Sequence, residues 1–265
     1  LTIPNRVVKP VCADGTTPWE SRSPPSYKPP HHTDEGVFLC AKTKSISFKN
    51  LPNFEIDMRI QTQKEEQLNV LTHGIGFVLS LVGFILLFIF HTYESWQGIL
   101  GISLYGFSLA ALYFASTIYH YEKDITRKFL YRKLDHISIY LLIAGTYSPV
   151  VLIVLPDSLG WILFWSVWSI ALVGTILKVF FTGKFELFST LLYLAMGWLI
   201  VFDFSALKSA VDETGLLLLM GGGAAYTIGI IFYSLDKIKY SHVIWHVFVL
   251  TGSILHYLFI FLEVI

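Results

Sequence analysis

Charge and cysteine are what this chain has least of. Only 14% of its 265 residues are Asp, Glu, Lys or Arg, where a soluble domain carries about 25%. The 19 basic and 19 acidic residues cancel to a formal net charge of +0. No strong field draws nucleic acid, and no nucleic-acid partner is expected. Cysteine occurs only at Cys12 and Cys40. That excludes a disulfide framework or a thiolate metal site in the rest of the chain, where a metal must be held by imidazole and carboxylate. The opening residues lack the apolar core and small-residue cleavage site of a signal peptide, and the first methionine comes at Met58.

What is there is hydrophobic. Apolar residues make up 54% of the chain, and the mean hydropathy is +0.60. Apolar runs near twenty residues recur, long enough to cross a hydrocarbon core of about 30 Å. The fold class expected is an all-α integral membrane protein, a seven-transmembrane helix bundle. Residues 1–63 are a different material. Pro24, Pro25, Pro29 and Pro30 build neither a helix nor a central strand. This stretch reads as a disordered tail or as an upstream extension of a chain whose true start is Met58, with residues 64–265 as the membrane domain.

The seven apolar segments run over about 70–90, 97–119, 135–155, 160–181, 187–207, 215–234 and 242–262. Short links make neighbouring helices antiparallel. No internal repeat relates the halves, which argues against an inverted-repeat transporter. Lysine and arginine then set the orientation. The second link carries Lys123, Arg127, Lys128, Arg132 and Lys133; Lys178 and Lys184 lie at the fourth, and Lys237 and Lys239 at the sixth. The other links have only Lys208. The N-terminus is therefore expected in the cytoplasm and the C-terminus outside, inverted relative to the G-protein-coupled receptors. The last segment has no lysine, which excludes a retinal Schiff base there.

One motif organises the polar residues. His242 and His246 are spaced i, i+4, so on a helix both imidazoles point the same way and can share one metal ion. His120 ends the second segment, and Asp135 stands at the start of the third, in Leu134-Asp135-His136. On the expected topology all four reach one depth near the cytoplasmic face, where ionisable groups are costly and usually functional. Three neutral imidazoles leave a fourth tetrahedral position open, the arrangement of catalytic Zn2+. Asp135 would then partner a water held there, as hydrogen-bond acceptor or general base. Ser116, one turn before His120, would hydrogen-bond the water or a developing oxyanion. Each residue also has a plainer role. His120 can be an interfacial cap, Asp135 a partner for the dipole of its helix, and Ser116 a small packing residue.

The sequence resembles the hemolysin III proteins and the related progestin and adipoQ receptors. The resemblance rests on Asn69-Val70-Leu71-Thr72-His73-Gly74, Ser116-Thr117-Ile118-Tyr119-His120 and Leu134-Asp135-His136-Ile137-Ser138-Ile139-Tyr140. Ala144-Gly145-Thr146-Tyr147-Ser148-Pro149 and Ser241-His242-Val243-Ile244-Trp245-His246 follow in order. It covers about residues 65–265, and the short loops look like the bacterial branch. The wider superfamily, which includes alkaline ceramidases, is marked by a serine, an aspartate and three histidines, with counterparts at Ser116, Asp135, His120, His242 and His246. What this implies is an intramembrane zinc near the cytoplasmic face, held by the three histidines, with the aspartate holding its water.

Other polar residues stay outside that assignment. His73 is read as second to the site or as packing, His136 as facing another helix, and His256 as too far along its helix to join. Asp203 and Glu263 are expected to reach the headgroups and Lys178 to snorkel. Trp161, Trp165 and Trp168 read as interface anchors and packing, and Gly221-Gly222-Gly223 as a close-packing patch. Three functions compete: a zinc-dependent lipid amide hydrolase, a receptor or sensor with structural zinc, and the membrane-permeabilising cytolysin of the family name. The expected setting is multi-pass in the plasma membrane, with membrane lipids as partners.

Overall fold

The computed structural model describes residues 61–92, 94–235 and 238–265. The expectations for residues 1–60, with both cysteines and Met58, lie outside the described residues, as does Lys237. Among the described residues the chain is all-α, without strands. The helices are α1 (Gln63–Phe90), α2 (Trp96–Tyr121), α3 (Ile125–Pro149), α4 (Gly160–Phe181), α5 (Glu186–Gly197), α6 (Phe204–Ala210), α7 (Glu213–Ser234) and α8 (Ser241–Phe259). Wide π turns, Val150–Val154 and Ile260–Val264, extend α3 and α8. α5 and α6 are two pieces of one span, joined by the 3-10 turn Leu199–Asp203. Seven spans are thus long and apolar enough to cross a membrane, and the protein is a multi-pass membrane protein.

Polar residues in the links write the helix starts. Thr62 and Glu65 form a capping box that begins α1 about two turns before the apolar run expected from residue 70. Ser95, Asp124 and Asp212 each accept a backbone N–H three residues on, at 3.2, 2.9 and 2.8 Å. Before Asp124, Glu122 accepts the N–H of Asp124 and of Lys123 at 3.0 and 2.9 Å. Those two bonds, the first above all, and nearby Arg127 hold its carboxyl below the usual carboxylate range.

The Asp124 cap corrects the expected start of the third helix. α3 begins at Ile125, not near residue 135, because its first turns are basic and helical yet too polar to register as an apolar run. Asp135 therefore lies about three turns inside the helix. It cannot serve the helix dipole, whose field is confined to the first turn.

The side chains of α1 explain why this is a membrane bundle. Its buried residues include Asn69, His73, Gly76, Ser80, Gly83 and Leu87, spaced three and four apart on one stripe. Leu71, Val78 and Ile85 point outward, 57%, 60% and 61% exposed. Polar and small residues face the protein and large apolar ones face out, the inverse of a soluble helix. Gly76 lets the ring of Tyr113 lie directly on α1, where a Cβ would collide with it. α1 packs against both α2 and α8, so the N-terminal turn of α1 meets the C-terminal end of α2 and the start of α8.

The fifth span is interrupted, which the uninterrupted segment 187–207 did not anticipate. The break is held by Tyr147 of α3: its hydroxyl donates to the Gly197 carbonyl at 2.9 Å and accepts the Ile200 N–H at 2.8 Å. Backbone groups freed inside a bilayer must find such partners. Asp203, expected at the headgroups, is instead buried, accepting Ser158 Oγ at 2.7 Å and the Leu159 N–H at 3.0 Å where α4 begins. Glu263, only part-exposed, accepts the Asp212 N–H ahead of α7 at 3.2 Å. Lys178 does not snorkel: it is 1% exposed and meets Glu186 Oε2 at 2.6 Å. Of Gly221, Gly222 and Gly223, only Gly222 is in close packing, beneath the ring of His256, while Gly223 has nothing within 4 Å.

Candidate metal centre

α2 delivers His120 in its last turn, and α8 delivers His242 and His246 in its first two. The chain turns into α8 through Tyr240, whose φ of 61° is left-handed, and Ser241 is fully buried behind it. Ring centroids lie 5.2 Å apart for His120 and His242, 4.8 Å for His120 and His246, and 4.7 Å for His242 and His246. One nitrogen from each of the three lies within 4.8 Å of the others, so the group could hold a metal ion. His120 and His246 are buried and His242 half-buried.

The outer nitrogens tell which face of two of these rings is available. His120 Nδ1 lies 2.6 Å from Glu66 Oε2. A carboxylate that close takes the N–H, leaving the lone pair on Nε2. His120 Nε2 is buried without a hydrogen-bond partner among the described residues. His246 Nδ1 lies 3.4 Å from Thr72 Oγ1. That hydroxyl spends its proton on the carbonyls of Leu68 and Asn69, at 2.9 and 3.0 Å, so it is placed to accept from the imidazole. For His120, a buried imidazole with Nδ1 held by an oxygen and Nε2 left over is the usual form of a metal-ligating histidine. The donor set fits zinc: three nitrogens, with no thiolate among the described residues.

Ser116 is buried one turn before His120, and its Oγ has no hydrogen-bond partner among the described residues. Its side chain interacts with Asp135 across the α2–α3 contact, and Arg132 lies near the same carboxylate. The structure thus brings the three histidines together and sets Ser116 against Asp135. His73 lies against the cluster, its ring stacked on His246 and edge-on to Tyr113, but outside the three-donor group. His136 faces away, 3.7 Å from Glu186. His256 is remote, near the Leu219 carbonyl at 3.1 Å.

Sequence reasoning missed the residues behind the ligands: Glu65, Glu66, Thr72 and Lys128. A signal for them existed. Glu66, Asn69, Thr72 and His73 recur at spacings of three and four, a polar stripe at the start of an apolar helix.

Fold and site together define a class: a seven-span helical membrane protein with a buried three-histidine cluster at one end of the bundle. A family model described as Haemolysin-III related matches residues 61–257, and the chain belongs to that family. It is 42% identical over 194 residues to Hemolysin-3 of Bacillus cereus, covering 73% of this chain and 89% of that protein. It is 43% identical over 193 residues to the Hemolysin-3 homolog of Bacillus subtilis (strain 168), covering 72% and 91%. The monocyte to macrophage differentiation factor of Homo sapiens is 30% identical over 200 residues, covering 73% and 82%.

Proposed function

We propose that this protein is a zinc-dependent hydrolase of a membrane lipid, acting at an amide bond, with the histidine end of the bundle facing the cytoplasm of a plasma membrane. The observation that carries the reading is His120 Nε2, buried and unpartnered among the described residues, in reach of His242 and His246. The orientation rests on Lys123 and Lys184 in the links at that end and Lys128 and Lys133 in the early turns of α3, against Lys208 of α6 at the other.

A zinc ion there would supply Lewis acidity and lower the pKa of water to about 7. Asp135 would take a proton from the attacking water and return it to the amine as the C–N bond breaks, so that one water yields a fatty acid and a free amine. Ser116 Oγ, set against Asp135, would donate to the carbonyl oxygen as charge develops on it. This hydrolysis requires that a lipid enter this end of the bundle from the bilayer and water from the aqueous face.

The test is to load purified protein with zinc, supply ceramides and other acyl-amide lipids in detergent or vesicles, and follow fatty acid release. Turnover that Asp135→Asn abolishes supports the reading; no turnover across the panel contradicts it.

A second reading has its own support. α1 packs between α2 and α8, and an ion held by His120, His242 and His246 would tie those two helices together. A receptor or sensor with structural zinc would lose thermal stability with the metal and consume no lipid. A cytolysin, as two relatives' names suggest, would release dye from reconstituted vesicles, and the hydrolase would leave them tight.

A further inference from the structure

We propose that the first turn of α1, which supplies no metal ligand, is the positioning element of the metal centre. In it, Glu66 fixes the ring of His120, and Glu65 fixes the turn that aims His242 and His246. This rests on the reading of the three histidines as metal ligands.

Glu66 uses both oxygens. Oε2 lies 2.6 Å from His120 Nδ1 and Oε1 lies 2.9 Å from Lys128 Nζ. Lys128 belongs to α3, and its ammonium also donates to the carbonyls of Tyr119 and Glu122 at 3.2 Å each. Those carbonyls flank the end of α2, where the helix has no further N–H to offer. Asn69 lies one turn on from Glu66, with Nδ2 3.4 Å from the same imidazole nitrogen. An ordinary surface ion pair would be exposed and loosely held. Here the His120 side chain is 0% exposed, and the side chains of Glu66 and Lys128 are 21% and 17% exposed.

Glu65 is likewise divided. Its Oε2 closes the α1 capping box on Thr62, with N and Oγ1 each at 2.8 Å. Its Oε1 accepts the Tyr240 N–H at 2.8 Å. Tyr240 is the left-handed residue ahead of α8, and that helix start has no side-chain cap of its own. A capping box needs only one of the two carboxylate oxygens. The other pins the residue two before His242. Adjacent carboxylates on one turn thus hold both ligand-bearing helix ends, α2 directly and α8 through Tyr240, and tie α3 to them through Lys128.

Outer partners of this kind change metal affinity by about 10–100-fold when removed. The test measures Zn2+ affinity of the purified full chain by chelator competition, together with the visible spectrum of the Co2+-substituted protein and the Tm of the metal-free form. Glu66→Gln keeps the side-chain shape but loses the charge that holds His120 Nδ1–H and Lys128. It is expected to weaken Zn2+ binding about 10–100-fold and to shift the Co2+ bands. Glu65→Gln is expected to weaken binding less, with His120 unaffected. Should Glu66→Gln fail to fold, Lys128→Met carries the test, because it leaves the carboxylate on His120 but frees its other oxygen; a several-fold loss of affinity is expected.

Zn2+ affinity and Co2+ spectra unchanged in these variants would overturn the proposal. A wild-type chain that binds no zinc would instead refute the metal reading beneath it. A fall in metal-free Tm with metal affinity intact would leave α1 a merely structural helix, which also overturns the proposal.

Discussion

The imidazole of His73 lies flat on that of His246, with ring centroids 3.6 Å apart and planes within 12°. Both nitrogens of His73 are buried without hydrogen-bond partners among the described residues. The ring acts through its face, as a platform that keeps His246 from rotating away from His120 and His242. His73→Phe keeps that face and removes two orphaned nitrogens, each a cost of about 1–3 kcal/mol. The variant is expected to bind zinc stoichiometrically with a Tm equal to or above wild type, and His73→Ala to loosen both. Metal analysis and thermal unfolding check this; loss of zinc in His73→Phe would mean that a nitrogen of His73 is needed at the site.

Asp135 and Ser116 separate chemistry from metal binding. Neither belongs to the three-donor group. Asp135→Asn is expected to keep zinc and fold while lowering turnover by about 10²–10⁴-fold. Ser116→Ala is expected to do the same by about 10²-fold. Fatty acid release and zinc content, measured on the same preparations, decide it. Lost zinc in either variant would give the residue a structural role instead.

Asp203 ends the 3-10 turn in the fifth span and ties it to the start of α4. Its two oxygens hold Ser158 Oγ and the Leu159 N–H at the start of α4. Asp203→Ala leaves a part-buried backbone N–H without its acceptor and is expected to cost about 1 kcal/mol, seen as a lower Tm with zinc binding unchanged. An unchanged Tm would mean that the 3-10 turn is held by Tyr147 alone.

Lys178 depends on Glu186 in the same way. Lys178 is 1% exposed and its partner's carboxylate is also near Arg132 and His136. Glu186→Gln strands a buried cation and is expected to cost about 2–3 kcal/mol, below the fully buried range because the Glu186 side chain is 31% exposed. Lys178→Met, which removes the buried charge itself, is expected to cost less. Comparing the two Tm values checks the order; the reverse order would show that Lys178 is needed for more than its pairing.

Much of this was legible in the sequence, because a bilayer leaves few ways to satisfy the backbone. The seven apolar runs mark seven spans, and the separation of His120 from His242 and His246 by five helical segments did not hide that they converge. What was hidden depended on contacts between helices. Hydropathy marks the part of a helix inside the bilayer, so the basic first turns of α3 were lost, and with them the true position of Asp135. Gly197 does not by itself predict a break; the hydroxyl of Tyr147, from another helix, makes one tolerable. The capping box of Thr62 and Glu65 was readable from spacing alone. The second partners of Glu65 and Glu66 were not, since nothing local to α1 names Tyr240, His120 or Lys128.

The most direct test of the account is metal content of the purified full chain, wild type against His120→Ala, His242→Ala and His246→Ala. The account predicts one zinc per wild-type chain and a large loss in each variant, with His256→Ala, outside the cluster, retaining it. Stoichiometric zinc in any of the three cluster variants, or none in the wild type, would contradict it.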